Sequence, residues 1–373
     1  MTRFFMSVAT QFENLGDALI HRELALLAAA HGPVLVEWSR CPERFRRTLD
    51  LEGQPGITTM AGRGAFLRAM LGARARGERA ILLLKPGAYL GPLGLPRWRA
   101  EAVLAFNRAL AAAGVELMQL GASYERLDAA NAAFLARKSA ALACHYVRDE
   151  QSRHYAWSVG IAVDGVLPDL AFTLYGKSRR PVAGPGAPLT LALSFRTGQY
   201  AEQEEQLRAL VSQAIAALGR EAIGAVRLVA QVTWDKTFLA ALAEWLEGEH
   251  AIAVTLVDAH DSLETARSAY SGCDLLLSNR LHALLVGGTL VPRVLACVDR
   301  THNAKIVGLF ETCGWTKSLF VLDGHAQLTP EVLANAMSAP IDGAPFAAEL
   351  ERGFAAALAG VPTARKAGAA GRN

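Results

Sequence analysis

Metal-ligating patterns are missing from this chain. Its five cysteines, Cys41, Cys144, Cys273, Cys297 and Cys313, are scattered without the paired spacing of a zinc or redox site. They read as small buried hydrophobes of a reducing compartment. No Gly-x-Gly-x-x-Gly follows a strand, no Walker-type lysine loop occurs and no Gly-x-Ser-x-Gly elbow is present. That argues against dinucleotide, ATP and serine-hydrolase sites. No apolar run approaches the ~18 residues that cross a bilayer, and residues 1–8 lack a full signal-peptide core, so a soluble cytoplasmic protein without a transmembrane segment is expected. Charge of one sign is not in excess either: 38 Lys and Arg stand against 35 Asp and Glu, a net +3. Nothing in that balance calls for nucleic acid. It suits a small anionic substrate or peripheral contact with an acidic membrane face, and selects neither.

What the chain has in quantity is apolar sequence, 52% over 373 residues, enough for two cores. Apolar runs of strand length alternate with Ala/Leu-rich stretches of helical period, the pattern of a parallel sheet covered by helices. In the first half the strands are expected at 4–9, 34–38, 80–84, 115–120 and 145–148. Helices are expected at 18–30, capped by Asp17, and at 98–113, closed by Gly114. Between Gly176 and Pro188 turn formers crowd together without periodicity, which marks a domain boundary. A second alternating set follows, with strands at 189–194, 226–231, 252–257, 273–277 and 294–298. Asp261 and Glu264 read as a capping pair for the helix ending near Gly272. Residues 346–358 read as an amphipathic helix able to pack on either domain, and 363–373 as a frayed tail. The expected architecture is therefore an α/β chain of two Rossmann-like parallel-sheet domains facing a cleft, divided as 1–178, a linker at 179–188, 189–345 and a C-terminal segment 346–373.

Open parallel sheets bind ligands beyond the carboxyl ends of their strands. Those ends carry Arg196, Asp235 with Lys236, Asp258 with His260, and Arg280 with His282 in the second half, and Glu13, Asn14, Gly16 and Asp17 in the first. Ser278-Asn279-Arg280-Leu281-His282 is the most informative stretch, because it joins the apolar run Leu275-Leu276-Leu277 to a helix. Guanidinium groups grip carboxylate and phosphate in a fork, so Arg196 and Arg280 together suit one small, multiply charged ligand. An arginine bridging domains by an ion pair would look the same at Arg196. His282, at a helix start, suits proton exchange near neutral pH, although a lone histidine more often packs or caps. Arg148-Asp149-Glu150-Gln151-Ser152 reads by default as a solvated charged turn. Pro168-Asp169-Leu170-Ala171-Phe172 reads as a rigid structural turn, and Lys305 reads as lying near a helix start facing the same crevice, where an ordinary surface lysine would look identical.

Several segments in one order resemble the polysaccharide pyruvyl transferase family: Asn14-Leu-Gly-Asp17, Val147-Arg-Asp-Glu-Gln-Ser152, Pro168-Asp-Leu-Ala-Phe172, Ser194-Phe-Arg196 and Ser278-Asn-Arg-Leu-His282, followed by Gly287, Pro292 and Asn303-Ala-Lys305. The resemblance implies a GT-B-like fold and transfer of the enolpyruvyl skeleton of phosphoenolpyruvate onto two sugar hydroxyls, giving a cyclic pyruvate ketal and phosphate. It associates Arg280, His282 and Arg196 with the phosphoenolpyruvate site. On this reading His282 and Arg280 are catalytic, and Arg196, Lys305, Asn14, Asp17 and Ser278 bind substrate. No metal or cofactor is expected besides phosphoenolpyruvate as donor. The partner is a saccharide acceptor, lipid-linked or soluble. After the strand at 80–84, Lys85-Pro86-Gly87-Ala88-Tyr89 stands where the family's paired-glycine loop is expected. A GT-B glycosyltransferase with a nucleotide-sugar donor is the alternative, since 270–298 also resembles its nucleotide-binding half. The Arg-Leu-His turn and the lack of a Glu-x7-Glu pattern favour pyruvyl transfer. A catalytically silent scaffold subunit ranks last.

Overall fold

The computed structural model describes residues 1–91, 94, 96–175, 187–197, 201–300, 302–322, 326–338 and 340–360. The expected linker at 179–188 and tail at 363–373 lie largely or wholly outside them. The chain divides into two compact units: Met1–Phe12, Asp17–Thr173 and the segment from Phe346 form one, and Glu13–Gly16 with Leu174–Pro345 form the other.

Eight strands build the first sheet: β1 (Thr2–Ser7), β2 (Val34–Glu37), β3 (Ile57–Met60), β4 (Arg79–Leu83), β5 (Gly87–Leu90), β6 (Glu116–Glu125), β7 (Cys144–Val147) and β8 (Gly165–Val166). All pairs are parallel, in the order β3-β2-β1-β4-β6-β7-β8, with β5 pairing the far half of β6. Side chains alternate across the sheet as period two requires. Phe4, Met6, Ile81, Leu83, Met118 and Leu120 enter one core, and Phe5, Ala80, Leu82 and Leu117 enter the other. Helices α1 (Leu15–Ala29) and α2 (Glu43–Leu49) cover the first face, and α3 (Arg63–Ala75) and α4 (Arg97–Ala112) the second. Helices α5 (Ala129–Ser139) and α6 (Glu150–Ser158) follow β6 and β7.

Strand β6 runs past its expected end at residue 120. Gly121, at φ +66°, takes up a bulge where pairing with β7 shifts register, and the strand continues to Glu125. Strands β3 and β5 were not expected from sequence. Ile57-Thr-Thr-Met60 is a half-buried edge strand with little apolar signal, and Gly87, at φ +97°, opens β5 directly after a proline. The cap of α1 is also corrected. Helix α1 starts at Leu15, Asn14 Oδ1 accepts the Gly16 N–H at 2.9 Å, and Asp17 lies in the first turn, where a carboxylate suits the positive end of the dipole.

The second sheet holds β9 (Leu189–Ser194), β10 (Ile223–Ala230), β11 (Ala253–Asp258), β12 (Leu275–Ser278), β13 (Arg293–Val298) and β14 (Leu319–Val321) in the parallel order β11-β10-β9-β12-β13-β14. Its helices are α7 (Ala201–Leu218), α8 (Lys236–His250), α9 (Leu263–Tyr270), α10 (Leu281–Gly287), α11 (Ala304–Thr312) and α12 (Pro330–Ser338). Leu191, Leu193, Leu228, Leu275, Leu277 and Leu295 form the core under α7, α8 and α12. Ser262, rather than Asp261 with Glu264, caps α9, its Oγ accepting the Thr265 N–H at 3.0 Å. The last helix, α13 (Ala344–Leu358), packs in the first unit. Its Leu350 and Phe354 join the core around Phe4, with the two phenyl rings 6.1 Å apart.

Candidate active site at the carboxyl edge of the second sheet

In the order β11-β10-β9-β12-β13-β14 the direction of winding reverses between β9 and β12. Such a reversal point is the usual ligand position in open parallel sheets, because the connections leaving the two strands turn to opposite faces. Arg196 leaves β9 two residues past its end and Arg280 leaves β12 two residues past its end, with Ser194 and Ser278 paired in register beneath them. Asn279 joins the two loops: its Oδ1 accepts the Arg196 N–H at 2.6 Å and its Nδ2 donates to the Arg196 carbonyl at 2.8 Å. Asn303 extends the clamp to the loop after β13. Its Nδ2 donates to the Asn279 carbonyl at 3.3 Å and its Oδ1 accepts the Asp299 N–H at 3.1 Å. Three strand ends are thereby held by two asparagine side chains.

Arg280 is nearly buried, its side chain 11% exposed, and forms an ion pair with Asp235 from the turn after β10. Burial pushes the Asp235 carboxyl up, against the opposing pull of Arg280 and Arg196. Burial likewise pulls Arg280 down, against the support of Asp235, and a guanidinium remains charged under such displacement. Arg196, whose charge acts on both, is itself exposed. The crevice therefore presents one arginine with a buried counter-ion, fixed in place, and a second that faces solvent. Beneath them, Tyr270 is fully buried with its hydroxyl accepting from Gln231 Nε2 at 3.1 Å, and burial pushes its phenol up.

Ser278 is fully buried; its hydroxyl donates to the Ser194 carbonyl and accepts the Arg280 N–H at 3.0 Å, so it shapes the arginine's turn. His282 is half-buried in the first turn of α10. Lys305 is half-buried in the first turn of α11. Asn14 comes to the same unit through the segment 13–16, which docks on the loop after β10. Asn14 bridges Val232, Leu15 N–H donates to the Gln231 carbonyl at 3.3 Å, and Thr233 Oγ1 donates to Glu13 Oε2 at 2.8 Å. The Gly16 backbone then lies directly on the His282 imidazole: a Cβ there would stand 2.0 Å from Nδ1. Asp17 belongs to the first unit, where its carboxylate accepts from the Thr10 hydroxyl and from the Gln11 N–H at 3.3 Å.

Asp258 forms an ion pair with Lys236 and a hydrogen bond with His260 Nδ1, so these three strand-end groups are engaged with one another. The charged turn at 148–152, expected to be solvated, buries Arg148, Asp149 and Ser152 and leaves Glu150 and Gln151 at the surface. Arg148 is 3% exposed; it donates to Asp169 at 3.0 Å and to Ser123 Oγ at 3.0 Å, while Asp149 caps α6 through the Ser152 N–H at 2.6 Å. Two segments distant in sequence meet there in one ion pair. In the sequence Asp235 stands at a strand end with no role attached, and Asn279 and Asn303 stand out only as members of their motifs. The available signal was chemical: a buried arginine at one strand end requires an acid at a neighbouring one. Among the described residues no three His, Cys, Asp or Glu side chains gather as a metal site, and no helix is long and apolar enough to cross a membrane.

The family model of polysaccharide pyruvyl transferase matches residues 14–288. Comparison with curated protein sequences gave no significant match. Among solved structures, a Listeria monocytogenes protein described as a UDP-N-acetylglucosamine 2-epimerase is similar at 13% identity and TM-score 0.55, over 96% of this chain and 97% of that one. UDP-GlcNAc 2-epimerase from Methanocaldococcus jannaschii is similar at 12% identity and TM-score 0.52, over 96% and 99%. An apo structure of OtsA gives 11% identity and TM-score 0.51, over 96% and 99%. At these identities the likeness speaks for the GT-B-like fold and leaves the chemistry to the residues.

Proposed function

The chain belongs to the polysaccharide pyruvyl transferase family, and from that premise we propose that it moves the enolpyruvyl skeleton of phosphoenolpyruvate onto two hydroxyls of a saccharide. The observation that carries this reading is the pair Arg196 and Arg280 at the crevice between β9 and β12, joined through Asn279 and backed by Asp235. Phosphoenolpyruvate bears a phosphate and a carboxylate on a three-carbon frame, and two guanidinium forks fit two anionic groups. In the reaction a proton adds to the methylene carbon and a sugar hydroxyl attacks the adjacent carbon. The carbon–oxygen bond to phosphate then breaks, and the second hydroxyl closes the ketal. Of the two hydroxyl protons, one ends on the new methyl group and one on the released phosphate. His282 acts as the general acid and base in this scheme, while Arg196 and Arg280 neutralise charge on the leaving phosphate. Lys305 adds a cation at the neighbouring helix start. Ser278, through the Arg280 N–H, holds the turn. Asn14 and Asp17 stand on the acceptor side of the scheme.

The test is phosphate release from phosphoenolpyruvate over a panel of galactose-, mannose- and glucose-containing acceptors. Wild-type protein is expected to release phosphate with one acceptor class, and Arg280→Ala and His282→Gln to be at least about a hundredfold slower while still folded. Near-normal turnover in both variants removes the assignment. A melting temperature raised by a nucleotide sugar and not by phosphoenolpyruvate would point to glycosyl transfer instead.

A further inference from the structure

The net charge of +3 conceals a strong internal asymmetry. Residues 61–115 carry nine Lys and Arg against only Glu78 and Glu101, so the remainder of the chain is net acidic. The same stretch holds Leu71, Leu90, Trp98, Val103 and Phe106, five of the nine large apolar side chains that stand exposed among the described residues. Six of these nine cations and four of these five apolar groups lie on α3 and α4, which cover a single face of the first unit's sheet, where Phe66 and Met70 meet Leu110.

Helix α4 shows how the two are arranged. At about 100° per residue, Leu104, Asn107 and Leu110 face the sheet, and Trp98, Ala102, Ala105 and Ala109 take the opposite side with Phe106 beside them. Trp98 is 67% exposed and Phe106 47%. The centre of the outward face is therefore apolar, where a helix turned to water carries its charges. Charge lies along the edges: Arg99, its guanidinium 5.0 Å over the Trp98 ring, on one side, and Arg97 and Arg108 on the other. Glu101, the acid on this helix, is engaged by Arg137 of α5 at 2.6 Å. Arg68 and Leu71 of α3 continue both features. An apolar strip with a cationic border is the pattern of a helix lying in a membrane interface. A soluble polyanion would be met by charge at the centre.

We propose that the α3–α4 face docks on the surface of an anionic lipid bilayer, with Trp98 and Phe106 entering the headgroup region and the arginines meeting lipid phosphates. This stands apart from the catalytic reading, since none of these residues belongs to the crevice of the second sheet. The full-length chain is expected to co-sediment with mixed phosphatidylcholine–phosphatidylglycerol vesicles, weakly with phosphatidylcholine alone, and less as salt rises. Trp98→Ser with Phe106→Ser lowers partitioning on the order of a hundredfold, roughly tenfold per side chain. Arg97→Gln, Arg99→Gln and Arg108→Gln together lower it by a similar factor, about fivefold per charge. Trp157→Ser, which removes a tryptophan of α6 whose 52% exposure lies between those of Phe106 and Trp98, leaves it unchanged. All these positions are exposed, so melting curves serve as the check on folding. Equal binding to neutral and anionic vesicles, or full binding by the Trp98 and Phe106 double variant, overturns the proposal. So does a wild-type dimer that ignores vesicles and becomes monomeric in that variant, which would make a second copy the occupant of this face.

Discussion

A methyl group added at Gly16 would stand 2.0 Å from Nδ1 and 2.8 Å from Cγ of His282, so the imidazole must move before alanine can be accommodated. The backbone itself tolerates the change, since Gly16 lies in the first turn of α1 outside the left-handed region. Gly16→Ala is therefore expected to lower kcat of phosphate release roughly tenfold or more, with a melting temperature that holds or rises. Unchanged kcat would show that the position of His282 does not matter to the reaction. From sequence, Gly16 stood at a strand end in the first half, with nothing to show that a histidine of the second half approaches it. The sheet-edge positions of Arg196, Arg280 and His282 were legible because each follows a strongly apolar strand. The contacts of Asp235 and Asn279 were not. Their partners come from other strands, and pairing between strand ends is a property of the sheet order rather than of local spacing.

Elements with strong apolar periodicity, such as β1, β4, β9 and β12, were readable. Two- and three-residue strands and the polar edge strand β3 carry too little pattern to separate from loop. The turn after β7 failed for another reason: its charges suggested water, whereas Arg148 is held below the surface by Asp169 from the turn after β8. Removing one member of such a pair strands the other charge in a low-dielectric site. Asp169→Asn is expected to destabilise the first unit by about 3–5 kcal/mol, seen as a lower urea midpoint. Replacing both partners, as Arg148→Met with Asp169→Leu, should recover much of that loss, because no uncompensated charge remains. If the single change costs as little as an exposed pair would, the two family segments are not joined energetically by this contact.

Over the whole molecule, two parallel-sheet α/β units were legible, since alternating strands and helices leave few other architectures. The path of the chain between the units was not. Residues 13–16 belong with the second unit and the final helix returns to the first, and an amphipathic helix at the end of a chain gives no sign of which core it covers. Helix α13 seals β1: Phe354 is fully buried against Phe4 and stacks edge-on with His31 at 5.1 Å, while Leu167 fills the space that Gly353 leaves open. Ending the chain at Gly343 exposes that surface on β1 and leaves the core under α7, α8 and α12 untouched, since α13 contributes nothing to it. Native-state hydrogen exchange on the truncated chain is expected to show amide protection lost along β1 and β2 and kept along β9 and β10. Phe354→Ala should reproduce the direction in the full-length chain, at about 3–5 kcal/mol for the first unit. Equal loss of protection in both sheets would mean that α13 supports the second core as well, against the core membership that its side chains display.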